Sequence, residues 1–434
     1  MLINFSIQNF GSIKDKQTLS FEADKSKHLE DYYVIHTNGL RLLKLGLIYG
    51  ANASGKTTIL RALEFLRTLV LSPKSQKTET FDFEPFLFDE NTPKQNTIFE
   101  IDFIQDNVRY LYEVELNKKA IVREELFAYN PKKSNVFSRT TDLKNETAKI
   151  KFGNKVKIDK ITEQQFENIT LWNNTVLGGF LKINFASKEL KDATDWFEIF
   201  LSPLTSPESS LNLVVTDNIR ESKINKKAVL EILKSADFNI SDILIKKRER
   251  KLPDGLIEFF ERLVDAPKEE AEDFKRQLSL TVEFEHKIKD NSYYLPLEME
   301  SLGTQRYYGV AGLLSALIGQ PGLLSIDELE SSLHPDLFQH FLLSFLVNSK
   351  ESQILAATHN REILSNKDII RPDAIWITDK DNDDCATELY SIADFGSSVI
   401  RKDTGSFYNA YKIGKLGGAP NLGSYYININ NENE

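Results

Sequence analysis

Eight contiguous residues, Gly50-Ala-Asn-Ala-Ser-Gly-Lys-Thr57, satisfy the pattern G-x-x-x-x-G-K-[S/T] at every specified position. That spacing suits the cradling of a phosphate chain by successive backbone N–H groups. The glycines permit a tight fold, and a helix beginning here would aim its N-terminus at the anion. Lys56 would reach the β and γ phosphates, and Thr57 would offer its hydroxyl to magnesium. The candidate phosphate-binding set is Gly50, Asn52, Ala53, Ser54, Gly55, Lys56, Thr57 and Thr58. The flanks agree: Leu42 to Tyr49 is a short apolar run of the kind that forms a buried strand, and Thr58 to Leu71 carries apolar residues at helical spacing.

Three later stretches carry groups that such a loop would need. Ser301, with Gly303 and Gln305 behind it, opens an apolar helix expected over Tyr307 to Ile318; a serine at a helix start is a second potential anion site, although a simply capped helix has the same letters. The apolar run ending in Asp327-Glu328 places two carboxylates at the carboxyl edge of a sheet, where ligands bind in open α/β folds. Asp327 would hold magnesium, and Glu328 would orient and deprotonate an attacking water. A strand that merely ends in acids gives the same pattern. Gln353 to His359 is another buried strand, whose terminal His359 is either a contact for the γ phosphate or its water or an ordinary hydrogen-bonded histidine.

The elements that must position these groups point to an α/β chain. At 434 residues the chain exceeds what one core usually supports, so more than one lobe is expected. Residues 2 to 22 form a hairpin pattern, with Leu2, Phe5 and Ile7 facing Leu19 and Phe21. Four strands, Phe81 to Phe88, Thr97 to Ile104, Arg109 to Leu116 and Ala120 to Tyr129, are expected as an antiparallel meander. Near Thr140 the composition shifts toward lysine and glutamate, with helices expected at Thr162 to Asn174, Glu189 to Phe200, Lys226 to Ala236 and Leu256 to Asp265. Strand patterns return at Leu278 to Lys287 and Ser292 to Leu297. The expected organisation is therefore 1–140 as the first part of a nucleotide-binding head with a β-rich subdomain, 141–275 as a mainly helical insertion, 276–398 as the rest of the head, and 399–434 as a tail.

Composition narrows the function classes. A net charge of −10 argues against a surface built as a whole to hold nucleic acid. The basic run Lys246 to Lys251 lies among acids with no interleaved aromatics, which favours a solvated strand end over a phosphate-backbone contact. No apolar run approaches the length of about 20 residues that crosses a bilayer. The single cysteine, Cys385, excludes an intramolecular disulfide, and a cytoplasmic protein is expected. Asp379 to Asp384 is expected as a solvated hairpin turn.

In this order, the phosphate loop, Ser-x-Gly-x-Gln, strand-Asp-Glu and strand-Thr-His resemble the ABC-type ATPases of the SMC, RecF and OLD group. The resemblance implies an ABC-ATPase head with a β-rich antiparallel subdomain and a helical insertion, using ATP and Mg2+. It implies that Asp327 and Glu328 are the Walker B pair, Ser331 to His334 the D-loop and His359 the switch histidine. It also implies a homodimer that sandwiches ATP, with Ser301, Gly303 and Gln305 reaching the nucleotide on the partner's loop. Leu302 stands where transporter subunits carry a glycine, which argues against a transporter. The Q-loop glutamine is assigned to neither Gln95 nor Gln105. Asn9-Phe-Gly-Ser12, Glu300 to Arg306, Asp327 to Pro335, Leu389 to Phe395 and Gly414 to Asn421 further resemble the abortive-infection ATPases of the RloA, AbiLi and AriA types. That implies bacterial phage defence beside a separately encoded effector such as a TOPRIM nuclease, since the stretch after His359 offers no such nuclease pattern. A RecF-like DNA-maintenance ATPase is the alternative.

Overall fold

Leu45–Gly50, the strand that delivers the phosphate loop, is buried at every position, as expected for a strand covered on both faces. In the computed structural model, which describes residues 1–247, 280–380, 383–395 and 406–420, it is the middle strand of a five-stranded sheet. The order is Leu323–Ile326, Gln353–Ala357, Leu45–Gly50, Ile375–Lys380, Thr387–Ser391. The first four strands run parallel, and the last pairs antiparallel. Their carboxyl ends therefore share one edge, which carries Gly50, Asp327 and Thr358. The expected strand Leu42 to Tyr49 is split at Lys44, whose N–H bonds Tyr33 O, leaving Leu40–Leu43 to pair with Val34–Thr37.

This sheet belongs to a unit made of Met1–Thr205, Gly322–Glu328 and Gln353–Glu434. The unit also holds a seven-stranded antiparallel sheet in the order Thr147–Phe152, Lys133–Asp142, Ile121–Tyr129, Val108–Leu116, Thr97–Gln105, Leu2–Gln8, Gln17–Ser20. The N-terminal hairpin forms in the expected register, Phe5 opposite Leu19. Two expectations need correcting. Phe81 to Phe88 is extended but belongs to no sheet: Phe86 N–H bonds the Asn9 side chain, and Gly11 N–H takes Glu84 O. The meander also runs on past Thr140 to Phe152, ending in two largely polar strands of which Thr147–Phe152 forms the sheet's edge. The five- and seven-stranded sheets are tied together by Gln353, whose buried amide bonds Leu2 N–H and the carbonyls of Leu2 and Leu43.

The seven-stranded sheet encloses a buried polar group. Arg139 donates to the carbonyls of Ile121, Leu171 and Trp172. Glu124 accepts from Tyr112 Oη at 2.9 Å and from Val176 N–H. Both charged residues are fully buried, and together they bind the 171–176 segment to the sheet. Removing one partner leaves the other's charge without compensation. Arg139→Ala should therefore lower folding stability by about 3–5 kcal/mol, read as a fall in urea midpoint; an unchanged midpoint would make the group incidental.

The second unit consists of Ser206–Pro321 and Leu329–Ser352. It contains a three-stranded antiparallel sheet, Asp242–Lys247, Leu280–Ile288 and Asn291–Pro296, and helices Leu211–Arg220, Lys226–Ser235, Leu302–Gly319 and Pro335–Asn348. Its core gathers Val215, Leu233, Ile243, Phe284, Tyr307 and Tyr308. Helix Leu302–Gly319 approaches Leu211–Arg220 through its glycines: a Cβ on Gly312 would lie 2.3 Å from Val215 Cγ1, and one on Gly309 2.6 Å from Leu211 Cβ. The helix begins five residues before its expected start, because Ser301 caps it. Lys246, the residue before the end of its strand, pairs with Glu283 at 2.5 Å. Residues 248–251 of the basic run and the expected helix Leu256 to Asp265 lie outside the described residues. Among the described residues no helix is long and apolar enough to cross a membrane.

Candidate functional site

The loop after Leu45–Gly50 turns through left-handed backbone at Ala53 (φ 63°) and Gly55 (φ 106°) before helix Lys56–Leu71 begins. Gly55 is held to its type twice over, since a Cβ there would also lie 2.3 Å from Thr387 Oγ1. The first helical turn carries no acidic residue of its own, so the helix itself does nothing to offset its positive end. Lys56 is buried and its ammonium spans the loop, donating to Gly50 O at 2.9 Å and Ala51 O at 3.0 Å. Asn52 and Ala53 are exposed at the tip, and Thr58 follows on the helix.

Asp327 follows directly on strand Leu323–Ile326, buried, and accepts from Thr57 Oγ1 at 2.8 Å. Its N–H donates to Thr205 O at 2.8 Å, and Thr205 N–H bonds Ser325 O, so residues 201–205 line the outer edge of that strand. The helix fixes the same segment: Glu64 accepts from Leu204 N–H and Arg67 donates to Leu201 O, each at 2.9 Å. The hydroxyl and the carboxylate are thus positioned by one shared frame. Two hard oxygens side by side, beside a loop built for anions, suit Mg2+. Glu328, next in line, is exposed and left-handed at φ 47°, a sparsely populated conformation for a residue with a side chain. His359 is exposed just past the end of the neighbouring strand. It is flanked by Thr358, whose N–H bonds Ile48 O, and by Asn360, whose carbonyl accepts from Tyr49 Oη.

The remaining candidates lie in the second unit. Ser301 is exposed and accepts from Thr304 N–H at 3.0 Å, so the capped-helix reading holds while the hydroxyl stays at the surface. Gln305 Nε2 donates to Glu300 O, and a Cβ on Gly303 would lie 3.5 Å from Ser332 O, which brings the stretches around Ser301 and Ser332 together. Leu302 is 74% exposed. Asp384 caps Ala386 N–H and pairs with Lys14, consistent with a turn, and among the described residues no group of three or more metal-ligating side chains gathers.

Several supporting residues carry no motif of their own. Ser54 is buried, and its hydroxyl meets Thr378 Oγ1 at 2.6 Å. Thr387 donates to Ser54 O, and Ser12 bonds Thr58 Oγ1 at 3.2 Å. Ser12 lies in the Asn9 to Ser12 stretch, which was a sequence signal; the two threonines read as ordinary strand residues.

Comparison with known proteins gives one family match, to the model described as "AAA domain, putative AbiEii toxin, Type IV TA system", over residues 47–365. No curated protein sequence matches the chain. Solved structures with a similar fold include an SMC head bound to the C-winged-helix domain of ScpA (14% identity, 90% of this chain and 97% of that one, TM-score 0.46). The SMC head domain from Thermotoga maritima is similar at 14% identity, over 90% and 98% of the two chains, with a TM-score of 0.40. Likenesses this distant decide nothing about function. The family match spans the loop, Asp327, Glu328 and His359 and most of the sequence, and on it the chain belongs to this AAA-domain ATPase family.

Proposed function

We propose that the protein binds and hydrolyses ATP, closes as a homodimer around it, and controls a separately encoded toxic effector in bacterial abortive infection. The observation that carries the ATPase reading is the 2.8 Å bond from Thr57 to Asp327, which joins loop and strand acid in one site. Thr57 and Asp327 would hold Mg2+, which when bound neutralises charge on the phosphates. In this reading Lys56 exchanges its loop carbonyls for β and γ phosphate oxygens. Glu328 takes a proton from the attacking water, and His359 contacts the γ phosphate or that water. Gly50, Ser54 and Gly55 shape the loop, and Ser301, Gly303 and Gln305 serve the partner's nucleotide. The defence role draws support from the family, whose description names a toxin and a type IV system, and from the stretches that resemble abortive-infection ATPases. A TOPRIM nuclease is one effector that fits.

Lys56→Ala tests the site. Loss of one charge-assisted contact should weaken MgATP binding by roughly 10- to 100-fold, measured by calorimetry, while far-UV circular dichroism stays unchanged. Equal affinity in mutant and wild type would remove the loop from the reading.

A further inference from the structure

The segment that follows the five-stranded sheet returns to the phosphate loop from the side opposite Asp327. Helix Phe407–Lys412 ends in a turn closed by Gly414 N–H to Tyr411 O and Lys415 N–H to Ala410 O, and the chain then passes through Leu416, fully buried, to Gly417 and Gly418. Both glycines are left-handed, at φ 67° and 61°. They lie against the carboxyl end of Ile375–Lys380 and the start of the loop. A Cβ on Gly418 would fall 2.6 Å from Ile377 Cγ2, 3.0 Å from Thr378 O and 3.3 Å from Gly50 Cα; one on Gly417 would fall 2.0 Å from Tyr390 Oη.

Two tyrosines fix this approach. Tyr390 Oη donates to Leu416 O at 2.9 Å. Tyr411 packs its ring edge-on against Tyr49, the residue before the loop, with centroids 6.0 Å apart. Its buried hydroxyl donates to Gly418 O at 2.8 Å. One side chain thus joins the residue before the phosphate loop, through its ring, to the glycine pair of the C-terminal segment, through its hydroxyl. Burial pushes the Tyr411 hydroxyl above its usual range, so it keeps the proton that the bond to Gly418 needs.

We propose that Tyr411, Gly417 and Gly418 are positioning residues of the nucleotide site, forming a brace that fixes the backbone of Gly50 and so sets the aim of the loop's N–H groups. The proposal rests on the ATP-site reading above. Its physical basis is that Gly50 begins a loop whose anion affinity depends on several N–H groups converging, while the strand end it leaves has neighbours on only two sides. Thr378 closes one side through Ser54 and Tyr49 O. The glycine pair closes a further side, and only residues without Cβ can come so near.

The test uses the full chain with Tyr411→Phe, which removes one oxygen, and Gly418→Ala, which adds one methyl. Each is titrated with MgATP and, separately, with tripolyphosphate, which has no base or sugar, and each is melted without ligand. Strain of the left-handed alanine and its collisions should weaken both ligands about tenfold in Gly418→Ala, and loss of the bond that holds Gly418 against Gly50 should weaken both severalfold in Tyr411→Phe. The fraction of binding-competent protein should stay as in wild type. Should Gly418→Ala fail to fold, the Tyr411→Phe titration carries the test. Wild-type affinity for both ligands in Tyr411→Phe overturns the brace, as does a loss confined to ATP, which would place the segment against the nucleoside. A lower melting temperature with unchanged affinities overturns it too. Wild-type protein that binds neither ligand overturns the ATP-site reading itself and the brace with it.

Discussion

Glu328→Gln protein should bind MgATP as wild type does, remain as a nucleotide-bound dimer on gel filtration, and release phosphate roughly 10²- to 10⁴-fold more slowly. The amide keeps the shape of the side chain and its place at the strand end but cannot accept the water's proton. Glu328 is exposed and left-handed, with its backbone set by the turn out of the sheet, so the exchange should leave Asp327 and its bond to Thr57 in place. A Glu328→Ala protein would confound loss of the base with loss of side-chain bulk, which is why the isosteric change is the sharper one. Turnover at the wild-type rate in Glu328→Gln would reduce Glu328 to a strand-end acid and sink the assignment.

The second large effect is a gain. Lys56→Ala and Ser301→Arg homodimers should each be inactive, because in each both ATP sites carry a lesion. Co-expressed with different tags and purified in tandem, the mixed dimer combines both lesions in one site and leaves the other intact, so activity should return in part. Ser301 also caps its helix through Thr304 N–H, and losing that cap costs about 1 kcal/mol. A thermal melt of Ser301→Arg therefore separates a signature lesion from unfolding. A mixed dimer that binds ATP at neither site would mean that loop and signature serve the same subunit.

How much of this could be read in the sequence depended on whether the information was local. The phosphate loop is contiguous, and each residue type has a backbone reason to be there, so the strand, turn and helix followed from about twenty letters. The place of Asp327 at the end of a buried strand was also legible, because an apolar run that stops in acids marks where the strand ends. Phe81 to Phe88 misled for a definite reason. Its alternation reports an extended chain with one buried face, and Phe81, Phe83 and Phe86 are indeed buried. Alternation does not report where the N–H groups go, and here Asn9 takes the place of a neighbouring strand. The strands Lys133–Asp142 and Thr147–Phe152 hid behind their lysines and threonines, which the solvent-facing positions of an antiparallel sheet carry at little cost. Thr378 and Thr387 reach the loop, and Tyr411 the residue before it, across more than three hundred residues of chain, and no local pattern encodes such a meeting.

The glycine seam between helices Leu302–Gly319 and Leu211–Arg220 has a mechanical consequence. With Val215 methyls filling the space that a side chain at position 312 would need, neither helix can slide or roll past the other without collision, and a close-packed contact of this kind passes strain on instead of absorbing it. Ser301 sits at the tip of one of these helices, while the other presents Val214 to solvent at 45% exposure. A push or pull applied along Leu211–Arg220 would therefore arrive at Ser301 undamped, as force travels through a crankshaft.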